Sequence, residues 1–125
     1  MLSDSPCRPT IAVSDKEMAR AFYGDTLGLP LHEENPVGAT FRCGGGTFLE
    51  VYPSQFAGSA RSTSAGFEVA DLAAEMTVLR ERGVVFEDYD LPLLKTADVV
   101  AQLGPNRVAW FKDPDGNTFA LVERG

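Results

Sequence analysis

A chain of 125 residues, 44% hydrophobic and 23% charged, has the makeup of one ordinary folded domain, long enough to bury about two thirds of its unfolded surface without a disulfide or metal staple. Eighteen Asp and Glu against eleven Lys and Arg leave a net charge of -7, which disfavours nucleic acid and anionic membrane as partners, because phosphate binding draws on clustered Lys and Arg. One histidine, His32, and two cysteines, Cys7 and Cys43, exclude a site built on several imidazoles or thiolates.

The opening MLSDSPCRPT lacks the basic and apolar regions of a secretory signal, the cysteines are not spaced as Cys-x-x-Cys, and no apolar run reaches about 18 residues. A soluble cytoplasmic protein is the expectation. The segment TIAVSDKEMARAFYGDTLGLPL then reads as strand, helix and strand. Ser14 with Glu17 has capping-box spacing, Met18 and Phe22 share a helical face as core residues, and Gly24 or Gly28 supplies the stop. Strands are predicted over Leu29 to Glu33, Ala39 to Cys43 and Thr47 to Tyr52, separated by Asn35-Pro36 and by Gly44-Gly45-Gly46, which reads as a turn since no P-loop Lys-Ser/Thr pair follows.

The order then recurs. After a Ser-, Ala- and Gly-rich linker, Ser54 to Ser64, the segment SAGFEVADLAAEMTVLRERGVVFE repeats strand, cap and helix, and Val13-Ser14-Asp15 returns as Val69-Ala70-Asp71. Asp71 caps, Leu72, Met76 and Leu79 form the apolar stripe, and Gly83 stands where a left-handed C-cap belongs. Strands follow over Val84 to Glu87, Val108 to Lys112 and Thr118 to Glu123, the last two joined by the turn Asp113-Pro114-Asp115-Gly116-Asn117. That turn carries part of a calcium-loop pattern but not the rest of it. Between Asp88 and Asn106 lies a longer insertion suited to a rim or cover. The reading is α+β: two tandem βαβββ modules, about 8-53 and 63-124, in one domain spanning 1-125.

These paired modules, the AFYGDTLGL segment and the WFKDPDGNTFALVE ending together resemble the glyoxalase, bleomycin resistance and extradiol dioxygenase (vicinal oxygen chelate) superfamily, from about Arg8 to Glu123. The resemblance implies a curved mixed sheet around a cup-shaped cavity and protomers that pair as homodimers. It also implies where the metalloenzymes of the family carry ligands: positions held here by Arg8, Ser64, Glu50 and Ala120. One usable ligand of four remains, so no metal, no cofactor and no catalytic residue is expected.

Strand alternation from those positions nominates the ligand-binding residues. Arg8 brings Thr10, Glu50 brings Phe48 and Tyr52, and Ser64 brings Gly66, while Ala120 marks the last strand and Phe41 and Trp110 stand as walls. Arg8 and Glu50 replace ligands that converge on one metal, so the resemblance implies that they can approach each other. His32 beside Glu33 and Glu34 reads as a surface residue rather than a general base, and Cys43 as an inert thiol. The leading expectation is a metal-independent protein that takes an aromatic or amphipathic small molecule into the cup, an antibiotic sequestered for resistance being the role the family suggests. The alternatives are a glyoxalase-like lyase or dioxygenase-type enzyme using other ligands, and a dimeric scaffold.

Overall fold

The computed structural model describes residues 1–125, which divide into two units, Met1–Gly58 and Ser59–Gly125. In the first unit β1 (Thr10–Val13), α1 (Lys16–Ala19), β2 (Leu31–Asn35), β3 (Gly38–Arg42) and β4 (Phe48–Pro53) follow in order, and the sheet runs β1-β4-β3-β2. Only the β1–β4 pair is parallel, because α1 and the two intervening strands make the crossover between them. The second unit has β5 (Thr63–Glu68), α2 (Leu72–Glu81), a two-stranded ribbon of β6 (Asp90–Leu91) and β7 (Leu94–Lys95), then β8 (Ala101–Leu103), β9 (Asn106–Lys112) and β10 (Thr118–Glu123). Its sheet order, β5-β10-β9-β8 with β5 parallel to β10, repeats that of the first. The repeated α+β architecture expected from the sequence is thus present.

Both helices start on an aspartate, which corrects the first cap. Asp15, not Ser14, is extended and accepts hydrogen bonds from the Glu17 and Met18 amides at 2.8 and 3.3 Å, since a carboxylate is favoured by the positive end of a helix. Asp71 does the same for Ala74 at 3.0 Å. Beyond Ala19 the helix widens into a π-type segment, Arg20–Thr26, marked by the five-residue bond from the Leu27 amide to the Phe22 carbonyl. Ala19 and Tyr23 are its fully buried residues, and the expected core pair Met18 and Phe22 is only half-buried. Helix α2 behaves as expected: Leu72, Met76 and Leu79 are buried, and Gly83 follows with φ of 92°, a conformation costly for any residue with a Cβ.

The predicted strand over Val84 to Glu87 is not a strand. Phe86 makes one bridge to Phe111, with Val84 and Phe86 buried and Val85 exposed. Its place at the sheet edge is taken by β8, which comes from the end of the insertion and turns into β9 through Gly104-Pro105. A short apolar run has strand character wherever it packs; pairing depends on which segment reaches the β9 edge.

Each sheet has one face of large apolar side chains. In the first unit Ile11, Val13, Ala39, Phe41, Leu49 and Val51 alternate inward, and Phe41 meets the Tyr23 ring at 5.8 Å. In the second, Ala109, Phe111, Phe119 and Leu121 are buried on the α2 side, with Phe111 stacked on Phe119 at 5.6 Å. The buried Asp113 holds the last turn, accepting from the amides of Asp115 and Asn117 and from the Asn117 side chain.

Candidate functional site: the open face of the first sheet

The two sheets treat their remaining faces differently. On the second, Ala101, Val108, Trp110 and Ala120 form a buried apolar cluster, covered by Tyr89 and Leu94 from the insertion, with Val122 alongside. Tyr89 meets Trp110 edge-on at 5.5 Å. Burial, and secondarily the nearby Glu87, pushes the Tyr89 phenol above its ordinary value, so it stays neutral at physiological pH. Within its own unit the β8–β10 part of this face is filled by its own side chains.

On the first sheet the corresponding face is open. An open concavity of about 380 Å³ is lined by Arg8, Thr10, Glu33, Asn35, Val37, Gly38, Ala39, Thr40, Glu50, Val51 and Tyr52. Register explains the membership: Thr10 and Thr40 flank Glu50 on the neighbouring strands, Glu33 lies opposite Thr40, and Ala12 lies beside Tyr52. Gly38 is required here, because a Cβ at this position would press on the Val51 carbonyl oxygen. Asn35 closes the β2–β3 turn through its side-chain oxygen, which accepts from the Val37 and Gly38 amides at 2.8 and 3.1 Å.

Arg8 crosses this face. Its Nη1 donates to Glu50 Oε1 at 2.9 Å, and its guanidinium carbon lies 4.6 Å from the centre of the Phe48 ring. Both partners are partly exposed, so the pair is accessible from solvent. Neither unit brings three of His, Cys, Asp and Glu together as a metal cluster, and Glu50 already has a cation. Within the first unit the residues of this face therefore do not fit a site of three protein ligands to a metal.

Of the ten expected ligand-binding residues, Arg8, Thr10, Glu50 and Tyr52 line the concavity and Phe48 adjoins it. Phe41 is a correction: it lies on the opposite face, 1% exposed, because it pairs with Leu49 and not with Glu50. Trp110, expected as an open wall, and Ala120 are only 7% and 6% exposed, covered by Tyr89 and Leu94 of the insertion. Ser64 and Gly66 are exposed on β5 of the second unit. Sequence reasoning missed Glu33 and Thr40. Thr40 follows from the Glu50 register once β3 is aligned; Glu33 depends on an irregularity in β2 that leaves no local signature.

A family model described as Glyoxalase/Bleomycin resistance protein/Dioxygenase superfamily matches residues 7–121. The chain belongs to this superfamily. Among solved structures it is similar to TnmS3, an antibiotic binding protein from Streptomyces sp. CB03234, with 28% identity, a TM-score of 0.73, and 94% of this chain and 93% of that one covered. A glyoxalase/bleomycin resistance protein from the same organism shows 29% identity and a TM-score of 0.70 over 94% and 98% of the chains. A superfamily member from Sphaerobacter thermophilus DSM 20745 shows 27% identity and 0.71 over 94% of each. No curated protein matches.

Proposed function

We propose that this superfamily member binds an aromatic or amphipathic small molecule on the open face of its first sheet, without a metal and without changing it chemically, and that the ligand is an antibiotic held in sequestration. The observation that carries the reading is the Arg8–Glu50 pair. The carboxylate best placed for a metal is bound by a guanidinium at 2.9 Å, in a concavity that also offers Tyr52, Thr10 and Thr40 to a ligand. The likeness to an antibiotic binding protein supports the ligand class. The Tyr52 ring, 39% exposed, offers stacking surface, and Phe48 adds a second ring on the same strand face, on the other side of Glu50 and under the Arg8 guanidinium.

Ser64, Gly66, Trp110 and Ala120 belong to the same proposal only as residues of the second module's matching face. A homodimer and a cytoplasmic location complete the reading; two free cysteines are compatible with a reducing compartment.

A thermal-shift screen of antibiotics tests it. A ligand at 100 times its dissociation constant adds about 2.7 kcal/mol, several degrees in a domain of this size. Glu50→Gln and Arg8→Ala are expected to weaken binding of the best compound. Wild-type affinity in both variants, or stoichiometric metal that is lost with Glu50→Ala, would overturn the reading.

A further inference from the structure

Four basic residues lie in the first unit: Arg8, Lys16, Arg20 and Arg42. Three are ion-paired. Arg8 meets Glu50, and Lys16 and Arg20 each lie 3.4 Å from Glu34. Arg42 has no carboxylate within 4.0 Å, in a chain whose net charge is -7. Its side chain instead contacts His32, with Arg42 Nη2 3.4 Å from His32 Nδ1.

Both residues are placed on the open face by backbone geometry. Arg42 sits opposite Phe48 across the β3–β4 ladder, two residue pairs beyond the Thr40–Glu50 pair, so it shares the face of the concavity. His32 is the extra residue of a bulge in β2, since Leu31 pairs with Phe41 while Glu33 pairs with the adjacent Thr40. The bulge turns His32 toward the ring of Phe48, 4.8 Å away, while Glu33 still faces Thr40. A regular strand would put these neighbours on opposite faces. A guanidinium cannot accept a hydrogen bond, so this contact requires a bare Nδ1 on the imidazole, with the ring hydrogen on Nε2.

We propose that Arg42 and His32 form an oxyanion subsite at the Phe48 side of the open face, taking a carboxylate or a phosphate-type group. The guanidinium supplies a planar fork of donors and permanent charge, and the imidazole, accepting one donor at Nδ1, holds that fork at the edge of the face. Joined to the proposed pocket, the subsite selects a ligand with charges at both ends: an anionic group against Arg42 and His32, and a hydrogen-bond donor or cation toward Glu33 and Glu50. This selection rests on the pocket reading; oxyanion capture does not.

His32 is the only histidine, so its ring protons give one set of imidazole NMR signals. Sodium benzoate, inorganic phosphate and, as the charge-reversed control, benzylamine are titrated at fixed pH and ionic strength into the whole chain. Saturable shifts of the His32 signals are expected with an oxyanion and not with benzylamine. A response to benzoate alone assigns the subsite to an aromatic carboxylate, and one to phosphate alone to a phosphoryl group. Arg42→Gln is expected to weaken the response about tenfold or more, the scale of a lost charged hydrogen bond, and Arg42→Lys to weaken it less. His32 signals that do not saturate with either oxyanion, or an unchanged titration in Arg42→Gln, would overturn the subsite. The readout needs no antibiotic: loss of every antibiotic-induced thermal shift with the benzoate titration intact would sink the drug-binding reading alone.

Discussion

The Tyr89 ring stands perpendicular to the Trp110 indole, 88–106 insertion against sheet, with 5.5 Å between ring centres. This contact turns a residue expected to face a ligand into part of an apolar core with Ala101, Val108 and Ala120. Tyr89→Ala is expected to cost about 1–3 kcal/mol, below the value for a fully buried aromatic because Tyr89 is only half-buried. Trp110 is the sole tryptophan, so its emission reports the site directly and should shift to the red as water reaches the indole. Tyr89→Phe should keep the wild-type emission. An unchanged spectrum in Tyr89→Ala would show that the insertion does not cover Trp110.

Much of this organisation is legible in the sequence. Recurrence of Val-x-Asp before two helices predicts the repeated modules, and period-two alternation from Glu50 predicts that Phe48 and Tyr52 share its face. Alternation fails at Phe41 because it gives a face only relative to a partner, and the partner here is Leu49. Trp110 and Ala120 are on the expected face; what hides them is an earlier segment of the chain, whose cover is a tertiary event. The substitution of β8 for Val84–Glu87 at the sheet edge is another, since both segments are short and apolar enough to pair.

The partly exposed Arg8–Glu50 pair should add little to stability. With its side chains 41% and 37% exposed, a double-mutant cycle of Arg8→Ala and Glu50→Gln should give a coupling below about 1 kcal/mol, falling as salt is added. Unfolding in denaturant measures this. A coupling well above that value would assign the pair to the fold rather than to ligand binding.

The two thiols should differ in reactivity. Cys7 is exposed, whereas Cys43 is half-buried and desolvation pushes its thiol above the ordinary cysteine value, so little thiolate is present at neutral pH. Iodoacetamide is expected to label Cys7 first, with Cys43 following only as the pH is raised or the protein unfolds. The raised value also ties Cys43 to stability: its contribution is complete below the unfolded thiol's titration and is lost as pH rises through the folded one. Peptide mapping after timed alkylation checks the order; equal rates at neutral pH would contradict it.

Strain in the insertion gives the last expectation. Ala97 and Val100 exchange both backbone hydrogen bonds around Asp98 and Val99, whose φ values of 52° and 59° lie in the left-handed region. Aspartate tolerates that conformation, but a β-branched valine is among the least suited residues for it. The Asp88 carboxylate, which accepts from the Val99 amide at 3.1 Å and from Thr96, helps hold the turn. Val99→Gly and Val99→Ala both remove the γ-methyl contacts, and the glycine variant also loses Cβ and gains backbone freedom. Glycine escapes a left-handed penalty of roughly 1–2 kcal/mol and gives back about 0.5–1 in chain entropy, so Val99→Gly should be the more stable variant by about 0.5–1 kcal/mol. In a helix or strand the order is reversed, so thermal denaturation of the two proteins decides whether the left-handed turn forms in solution.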